Sequence, residues 1–334
     1  MDVTVIISVY RELEYVERCI NSIINQTFQS FEFILIDDCG GDGAFEKARN
    51  ITENSILADR SRYIVHQRNM GIAFSRNTGM AAATGEYMIY LDSDDFFEPN
   101  LLEEFYNAAI KQNADLVISD FIREMPGGVS VYAKDTFDQD LITEFADKER
   151  YIKEMLTSVK GCTPWNKMVK RELYLKNDVR FHDNMRDDLS VTPLLVWHAT
   201  RIAFVHKALT HFVQYNTASG TFSFNHLPFV GNALVHLESF FKSKGMDYSD
   251  IFLRYKANTK RKILMHPKPE MTQGQMFGLF PEVDSAIKSG KRLEPKIQYQ
   301  MVLKLASMRN KIFFRIYRRS LLILLKASSL VSQS

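Results

Sequence analysis

Tyr87-Met88-Ile89-Tyr90-Leu91-Asp92-Ser93-Asp94-Asp95 is an apolar run of strand length that ends in three acids within four residues. Outward from it the same rhythm repeats. Val3 to Val9 is a β-branched run, and after it Val16, Cys19, Ile20, Ile23 and Ile24 fall on one helix face, which predicts a helix over Glu14 to Gln26. Phe31 to Ile36 is a second apolar run, stopping at Asp37-Asp38 and the turn Gly40-Gly41-Asp42-Gly43. Phe45, Ala48 and Ile51 mark a helix side, Tyr63 to Val65 a third strand, Ile72 to Thr84 and Asn100 to Lys111 helices, and Leu116 to Ile118 a fifth strand. Strand starts at 3, 31, 63, 87 and 115 lie 24 to 32 residues apart, the length of a strand–helix unit. Such alternation predicts an α/β fold, with a mainly parallel sheet flanked by helices on both faces. Ligands of such sheets sit beyond the carboxyl ends of the strands. Three of those ends are polar: Asp37-Asp38, Gln67-Arg68-Asn69, and Asp92 to Asp95.

Beyond Ser119 the regularity lapses. Glu124 to Gly128 is a turn signal between two strand-like runs and predicts a hairpin. Residues 147–157 read as helix, Gly161 to Lys170 as irregular, and Leu189 to His198 as helix with Pro193 near its first turn. Ile202 to Val205 and His211 to Val213 read as two short strands. From about His226 the chain reads as mostly helical, with a loop at Pro267-Lys268-Pro269.

Composition narrows the function classes. The 334 residues are 46% apolar and 25% charged, which excludes disorder and collagen-like structure. Forty-two basic residues against 40 acidic leave +2, so the surface is no nucleic-acid footprint and no nucleic-acid partner is expected. The charge is unevenly placed: from Lys296 onward there are eight basic residues and no acid, so the tail carries +8 and the rest −6. Cys19, Cys39 and Cys162 are too few and too scattered for a disulfide framework or a thiolate zinc site, as expected in a reducing cytosol. Met1-Asp2 runs straight into a strand, so no secretory signal is expected. No stretch approaches the roughly 18 apolar residues of a spanning helix.

Alternate acids at a strand end can point towards one ligand, and hard oxygen ligands suit Mg²⁺ or Mn²⁺. The other reading of Asp92 to Asp95 is a cap for the helix near Asn100 plus solvated acids. Its neighbours weigh on that choice. Ser8-Val9-Tyr10, C-I-N-S-I-I-N-Q-T over Cys19–Thr27, I-L-I-D-D-C over Ile34–Cys39, N-M-G at 69–71, S-R-N-T-G at 75–79, T-G-E-Y at 84–87 and L-D-S-D-D at 91–95 together resemble family 2 glycosyltransferases of the GT-A fold. The match runs through residues 3–99 in order and spacing; a lone D-x-D would be weak, several independent motifs are not.

The resemblance implies a Rossmann-like GT-A sheet, a nucleotide-sugar donor (UDP-linked), and Mn²⁺ or Mg²⁺. Val9, Tyr10 and Glu12 would border the uracil pocket, with Asp38, aided by Asp37, bonding the base. Asn69, Gly71, Arg76 and Ser93 join the donor-binding set. Asp92 would hold ribose or the metal shell, and Asp94 would be the direct metal ligand. Arg76 could instead pair with surface acids, and Asp37 or Asp38 could cap the next turn. In the second half, bacterial members carry W-N-K-[LM] followed by an E-D pair at the mouth of a helix. Here Thr163-Pro164-Trp165-Asn166-Lys167-Met168 is intact, and Met185-Arg186-Asp187-Asp188-Leu189 has Asp187 in place of Glu. The resemblance makes Asp188 the general base, with Asp187 orienting it or the acceptor. The alternative is that both acids merely favour a helix N-terminus. Trp165 reads as part of the sugar or donor pocket, or as core. His211 reads as a third metal ligand, or as a structural histidine. Arg11 stands where the family has Asn, and Cys39-Gly40-Gly41-Asp42 replaces D-G-S-x-D at the nucleotide rim.

The expected activity is inverting, metal-dependent transfer from a UDP-sugar to a hydroxyl of a surface glycan or lipid-linked oligosaccharide. A nucleotidyltransferase is the other enzyme reading, but it would need a Gly/Arg/Lys-rich loop after the first strand, and Tyr10-Arg11-Glu12-Leu13 is a poor one. A non-catalytic glycan or nucleotide-sugar binder would be expected to have lost the D-x-D or the downstream acid pair. Three segments follow: 1–120 for the nucleotide-sugar half, 121–225 for the acceptor half, and 226–334 as a helical extension. Over Gln298 to Lys326, Met301, Leu305, Met308, Ile312, Ile316 and Ile323 lie near one helical face interleaved with Arg309, Lys311, Arg315, Arg318 and Arg319. A basic amphipathic helix of this kind reads as membrane-surface contact, or as a helix packed on the protein. The location expected is cytoplasmic and peripheral at the inner face of the membrane. Oligomeric state is not set by the residues, and a homodimer stays open.

Overall fold

The computed structural model describes residues 1–215, 227–266, 272–309 and 311–331, so the loop expected at Pro267-Lys268-Pro269 lies outside the described residues. Strands β1 (Val3–Val9), β2 (Phe31–Asp37), β3 (Ser61–Val65) and β4 (Tyr87–Asp92) lie parallel in the order β3-β2-β1-β4. All of β1 except Ser8 is buried, which is why it reads as a continuous apolar run: helices cover both faces. These are α1 (Val16–Ile24), α2 (Ala44–Glu53), α3 (Ile72–Ala82) and α4 (Leu101–Gln112). Helix α3 lies so close to the sheet that a Cβ on Gly79 would sit 2.3 Å from Ile6 Cγ2 and 3.1 Å from Ile36 Cδ1. Only glycine permits that approach.

The sheet continues through β5 (Phe96–Phe97), β6 (Leu116–Met125), β7 (Val129–Ala133), β8 (Leu141–Ile142), β9 (Lys167–Lys170) and β10 (Ile202–Val213), with α5 (Phe145–Leu156), α6 (Arg171–Lys176) and α7 (Asp187–His198) between them. The order after β4 is β9-β6-β10-β5, with β7 on β6 and β8 on β10. The hairpin at Glu124 to Gly128 is present as β6–β7. Two expectations need correction. Gly161 to Lys170 is not wholly irregular: β9 runs antiparallel between β4 and β6 and joins the two halves of the sheet. Ile202 to Val213 is one strand, whose register shifts at Ala208 split its apolar pattern. Lys167 of β9 is 1% exposed and donates to Asp135 Oδ2 (2.9 Å) and Asn166 Oδ1 (2.8 Å), while Asn166 donates to Ser119 O (2.8 Å). The W-N-K element is therefore a buried polar clamp on the sheet.

Helices α8 (Leu227–Ser243), α9 (Ser249–Met265), α10 (Gln273–Gly278), α11 (Pro281–Lys288), α12 (Ile297–Ser307) and α13 (Lys311–Val331) follow. Two compact units result: one of residues 1–155, 159–215 and 228–237, the other of 156–158, 227 and the described residues from 238 on. The first is built around the sheet; the second has its own core, including Ile263, Leu264, Phe277, Val302, Leu303 and Phe314. The tail is not one helix as expected. Arg309 takes a φ of +53° after Met308 caps α12, so the chain breaks before α13. No helix among the described residues is long and apolar enough to cross a membrane.

At the amino end of the sheet Glu32 accepts from Thr4 Oγ1 (2.6 Å), Thr84 N (2.6 Å), Thr84 Oγ1 (2.9 Å), Gly85 N (3.2 Å) and Arg62 Nη2 (2.5 Å). Burial alone would raise its pKa, but these bonds outweigh burial and hold it at about 2, below the ordinary 4.5. Its contribution is thus full above pH 4.5 and is lost as pH falls through the folded value near 2. Glu32→Gln is expected to cost about 1–3 kcal/mol at pH 7, in urea unfolding, because it loses a charged acceptor shared by three strands and a turn. The difference from wild type should shrink as pH falls from 4.5 towards 2; a difference independent of pH would contradict this role.

Candidate functional site

The carboxyl ends of β1 and β2 make the first wall. Asp38 N donates to Val9 O (3.0 Å), placing the exposed ring of Tyr10 beside the 37–42 turn. Arg11 sits at φ +59° and Cys39 at +61°, a region in which Asn is the better tolerated side chain. Arg11 Nε also reaches Gly40 O (3.4 Å). The Asp38 carboxylate, expected to bond the base, is taken up by protein donors. Its carboxylate accepts from Met70 N (2.8 Å), Gly71 N (2.8 Å) and Asn69 Nδ2 (2.9 Å), and His66 Nδ1 lies 2.8 Å from Oδ1. At 3% exposure it is spent on shaping the 69–71 loop. Asn69 and Gly71 are taken up in the same loop, Gly71 at φ +87°. Asp37 Oδ1 accepts from Cys39 N (2.8 Å) and Gly40 N (3.4 Å).

The second wall is the end of β4. Asp92, Ser93, Asp94 and Asp95 follow one another, and Asp95 is fully buried. Asp95 Oδ1 accepts from Val213 N (2.7 Å), and Oδ2 is buried with no hydrogen-bond partner among the described residues. Burial, then the charges of Asp94 and Asp92, push the Asp95 carboxyl well above the usual carboxylate range. The Cys19 thiol beneath is pushed up by burial and by the same three acids. The buried Asp95 oxygen and the neighbouring acids suit a hard divalent cation, for which Asp92 and Asp94 would be the oxygen ligands. Among the described residues no three His, Cys, Asp or Glu side chains converge into a ready cage.

Arg76 joins this wall to the distant acid pair. It is 4% exposed, donates from Nη2 to Asp92 Oδ1 (2.8 Å), and from Nη1 to Asp187 Oδ2. The rest of its motif works alongside. Asn77 Nδ2 donates to Phe181 O (2.7 Å) while its Oδ1 accepts from Phe181 N (3.1 Å), and Thr78 Oγ1 lies 3.2 Å from His66 Nε2. S-R-N-T-G thus holds the segment that leads into α7. Asp188 accepts from Arg186 Nε (2.8 Å), Arg186 Nη2 (3.2 Å) and Leu189 N (2.7 Å). Burial would raise its pKa, but the Arg186 charge and hydrogen bonds outweigh burial and hold the carboxyl below the usual range. These partners favour its ionised form. Arg186 N in turn donates to Phe229 O of α8 (3.0 Å).

Two expected contributors lie elsewhere. Trp165 is 2% exposed, stacked on Phe212 (5.1 Å between ring centroids) and edge-on to Phe121 (4.8 Å), so it is core and offers no face to a sugar. His211 is not with Asp92 and Asp94: Nδ1 lies 2.7 Å from Glu124 Oε1 and Nε2 2.8 Å from Glu98 Oε1, with the ring stacked on Phe96 (4.2 Å). Both ring nitrogens are taken. Sequence reasoning passed over Arg18, whose guanidinium donates to Asp94 O (3.2 Å) and Tyr215 OH (2.6 Å) over the Phe96 ring (4.3 Å). Its position on the polar side of α1, before Cys19, was the available signal. Asp95 was visible only as the third acid of a run.

A parallel sheet with acids at the carboxyl rim and a second acid pair tied to them defines a protein of the GT-A glycosyltransferase fold. The solved structure of TarS from S. aureus, residues 1–349, bound to UDP-GlcNAc, superposes with a TM-score of 0.68 at 18% identity, over 96% of this chain and 91% of that one. The sequence model of Glycosyl transferase family 2 matches residues 4–177, more than half the chain, and the protein belongs to that family. It is 31% identical over 238 residues to the cholesterol galactosyltransferase of Borreliella burgdorferi, covering 67% of this chain and 63% of that protein. It is 29% identical over 220 residues to glycosyltransferase GlyG of Streptococcus pneumoniae, covering 62% and 69%. The match thus spans less than two thirds of the first relative's length.

Arg76→Ala leaves Asp92 and Asp187 facing one another without their shared cation. A loss of about 1–3 kcal/mol is expected in urea unfolding, with Arg76→Lys recovering only part because an ammonium cannot fork between two carboxylates. Equal stability of all three proteins would contradict the bridge.

Proposed function

We propose that the protein transfers a sugar from a nucleotide-sugar donor, most simply a UDP-sugar, to a hydroxyl of a surface glycan or lipid-linked saccharide, with inversion at the anomeric carbon. The observation that carries this is Arg76, which brings the acids after β4 and the Asp187–Asp188 pair into one site. Family membership and a fold neighbour crystallised with UDP-GlcNAc support a nucleotide-sugar donor. The nucleotide would lie against Val9, Tyr10, Glu12 and Asp37, on the loop that Asp38, Asn69 and Gly71 shape. The diphosphate would meet Asp92, Ser93 and Asp94, where Arg76 balances charge. A divalent ion held by Asp94 and Asp92 would supply Lewis-acid stabilisation of the departing diphosphate. Asp188 takes the proton of the acceptor hydroxyl as that oxygen attacks the face opposite the leaving group. One in-line displacement inverts configuration, so an α-linked donor gives a β-linked product. Asp187, committed to Arg76, fixes where Asp188 stands.

The tail belongs to the same reading. Ile312, Phe313, Ile316 and Ile323 of α13 are exposed beside Lys311, Arg315 and Arg319. Arg318 is not available, since its Nε donates to Leu264 O (2.8 Å). An exposed apolar strip with a basic flank and no acid suits an anionic lipid surface. The relative named for cholesterol galactosyl transfer supports an acceptor at such a surface.

Incubated with UDP-sugars and Mn²⁺, the protein should release UDP. Asp94→Ala should abolish release, and Asp188→Asn should lower it about 100-fold or more while retaining donor binding. Donor binding without turnover under any acceptor would leave a binding protein instead. Sedimentation with vesicles should carry down the protein with phosphatidylglycerol but not with phosphatidylcholine alone, and Ile312→Asp with Arg315→Glu should abolish it. Equal sedimentation with both vesicles, or with the variant, would contradict lipid contact by α13.

A further inference from the structure

We propose that the helical unit carries a saccharide site of its own, for a sugar bearing an anionic group. The site is a cavity of about 490 Å³ whose lining belongs wholly to that unit and shares no residue with the site described above. Ligand pockets commonly run from about 300 to 1,000 Å³, so a sugar ring with its substituents fits. One wall is the stripe Arg254, Tyr255, Asn258 and Arg261 on α9; the other is the segment at Glu294 to Lys296 with Tyr299 of α12.

The polar groups are already arranged. Glu294 is 6% exposed and accepts from Arg261 Nε (2.8 Å), while Arg261 Nη2 donates to Asn258 Oδ1. The Arg261 guanidinium lies 4.4 Å from the Tyr299 ring centroid. Gln300 Oε1 accepts from Leu293 N (3.0 Å) and Glu294 N (3.0 Å), which stiffens the second wall. Asn258, Arg261 and Glu294 therefore form a fixed row of planar side chains, each with more than one hydrogen-bonding atom. Neighbouring hydroxyls on a sugar ring present a donor and an acceptor at the same spacing, so such a row can pair with them. Tyr255 and Tyr299 supply apolar surface for the ring's C–H face. Preorganisation reduces the ordering cost of binding.

The charge points to an anion. Arg261 is neutralised by Glu294, and Arg254 Nε donates to Asp250 Oδ2 (2.7 Å). Lys296 at the mouth makes no ion pair among the described residues and stands 5.9 Å from the Tyr299 ring centroid. A phosphate or carboxylate on the sugar would meet it there.

Calorimetric titration of the full chain, saturated with UDP and Mn²⁺ to block the donor site, tests this with glucose, glucose 6-phosphate, glucuronate and inorganic phosphate. Both anionic sugars should bind more tightly than glucose, and phosphate alone should bind more weakly than glucose 6-phosphate. Lys296→Ala should weaken the anionic sugars about fivefold and leave glucose unchanged. Asn258→Ala, on a half-buried position, should weaken all three sugars and leave phosphate unchanged. No binding by any sugar, phosphate equal to sugar phosphate, or affinities unmoved by both substitutions would overturn the site.

Discussion

A single buried cation decides how this molecule is put together at its chemical end. Arg76 is nearly sealed from solvent, and its two terminal nitrogens are divided between Asp92, at the tip of β4, and Asp187, at the mouth of α7. The two acids are far apart in the chain. In a low-dielectric setting neither would tolerate the other without the charge between them. A guanidinium suits the task because its planar fork can serve two carboxylates at once. Tyr90 and Phe181 rings flank it, within 6.0 and 5.5 Å of the guanidinium carbon.

Around that bridge the acids are not equivalent. Asp187 and Asp188 each have an arginine partner, and Asp92 shares that of Asp187, whereas among the described residues Asp95 keeps a buried oxygen with no hydrogen-bond donor. Arginine pairing thus favours the ionised form of Asp188, while burial and its acid neighbours disfavour ionisation of Asp95.

The first four strands and their helices were legible because parallel strands buried on both faces give unbroken apolar runs, and because α1 keeps a single apolar face. β9 escaped notice: four residues bounded by lysines carry no period, and the burial of Lys167 depends on Asp135, a partner 32 residues away. β10 read as two strands because its irregularity places exposed His206 and Lys207 mid-run. Motifs identified which residues matter better than what each touches. The partners of Asp38 are two backbone N–H groups, an amide and an imidazole, and no side-chain pattern announces backbone donors. Trp165 and His211 sat in suggestive company, yet their rings are claimed by Phe212 and Phe121 and by two glutamates. The tail's face was drawn as continuous because the positive φ of Arg309 leaves no mark in a run of helix-forming residues.

The most direct test is a crystal structure of the full chain with UDP and Mn²⁺, using the manganese anomalous signal to place the ion. The account predicts a peak bonded to the Asp94 carboxylate and to the diphosphate, with Arg76 still divided between Asp92 and Asp187 and Asp188 open to the same space. A peak away from Asp94, or an Asp188 carboxylate turned from the diphosphate, would contradict it.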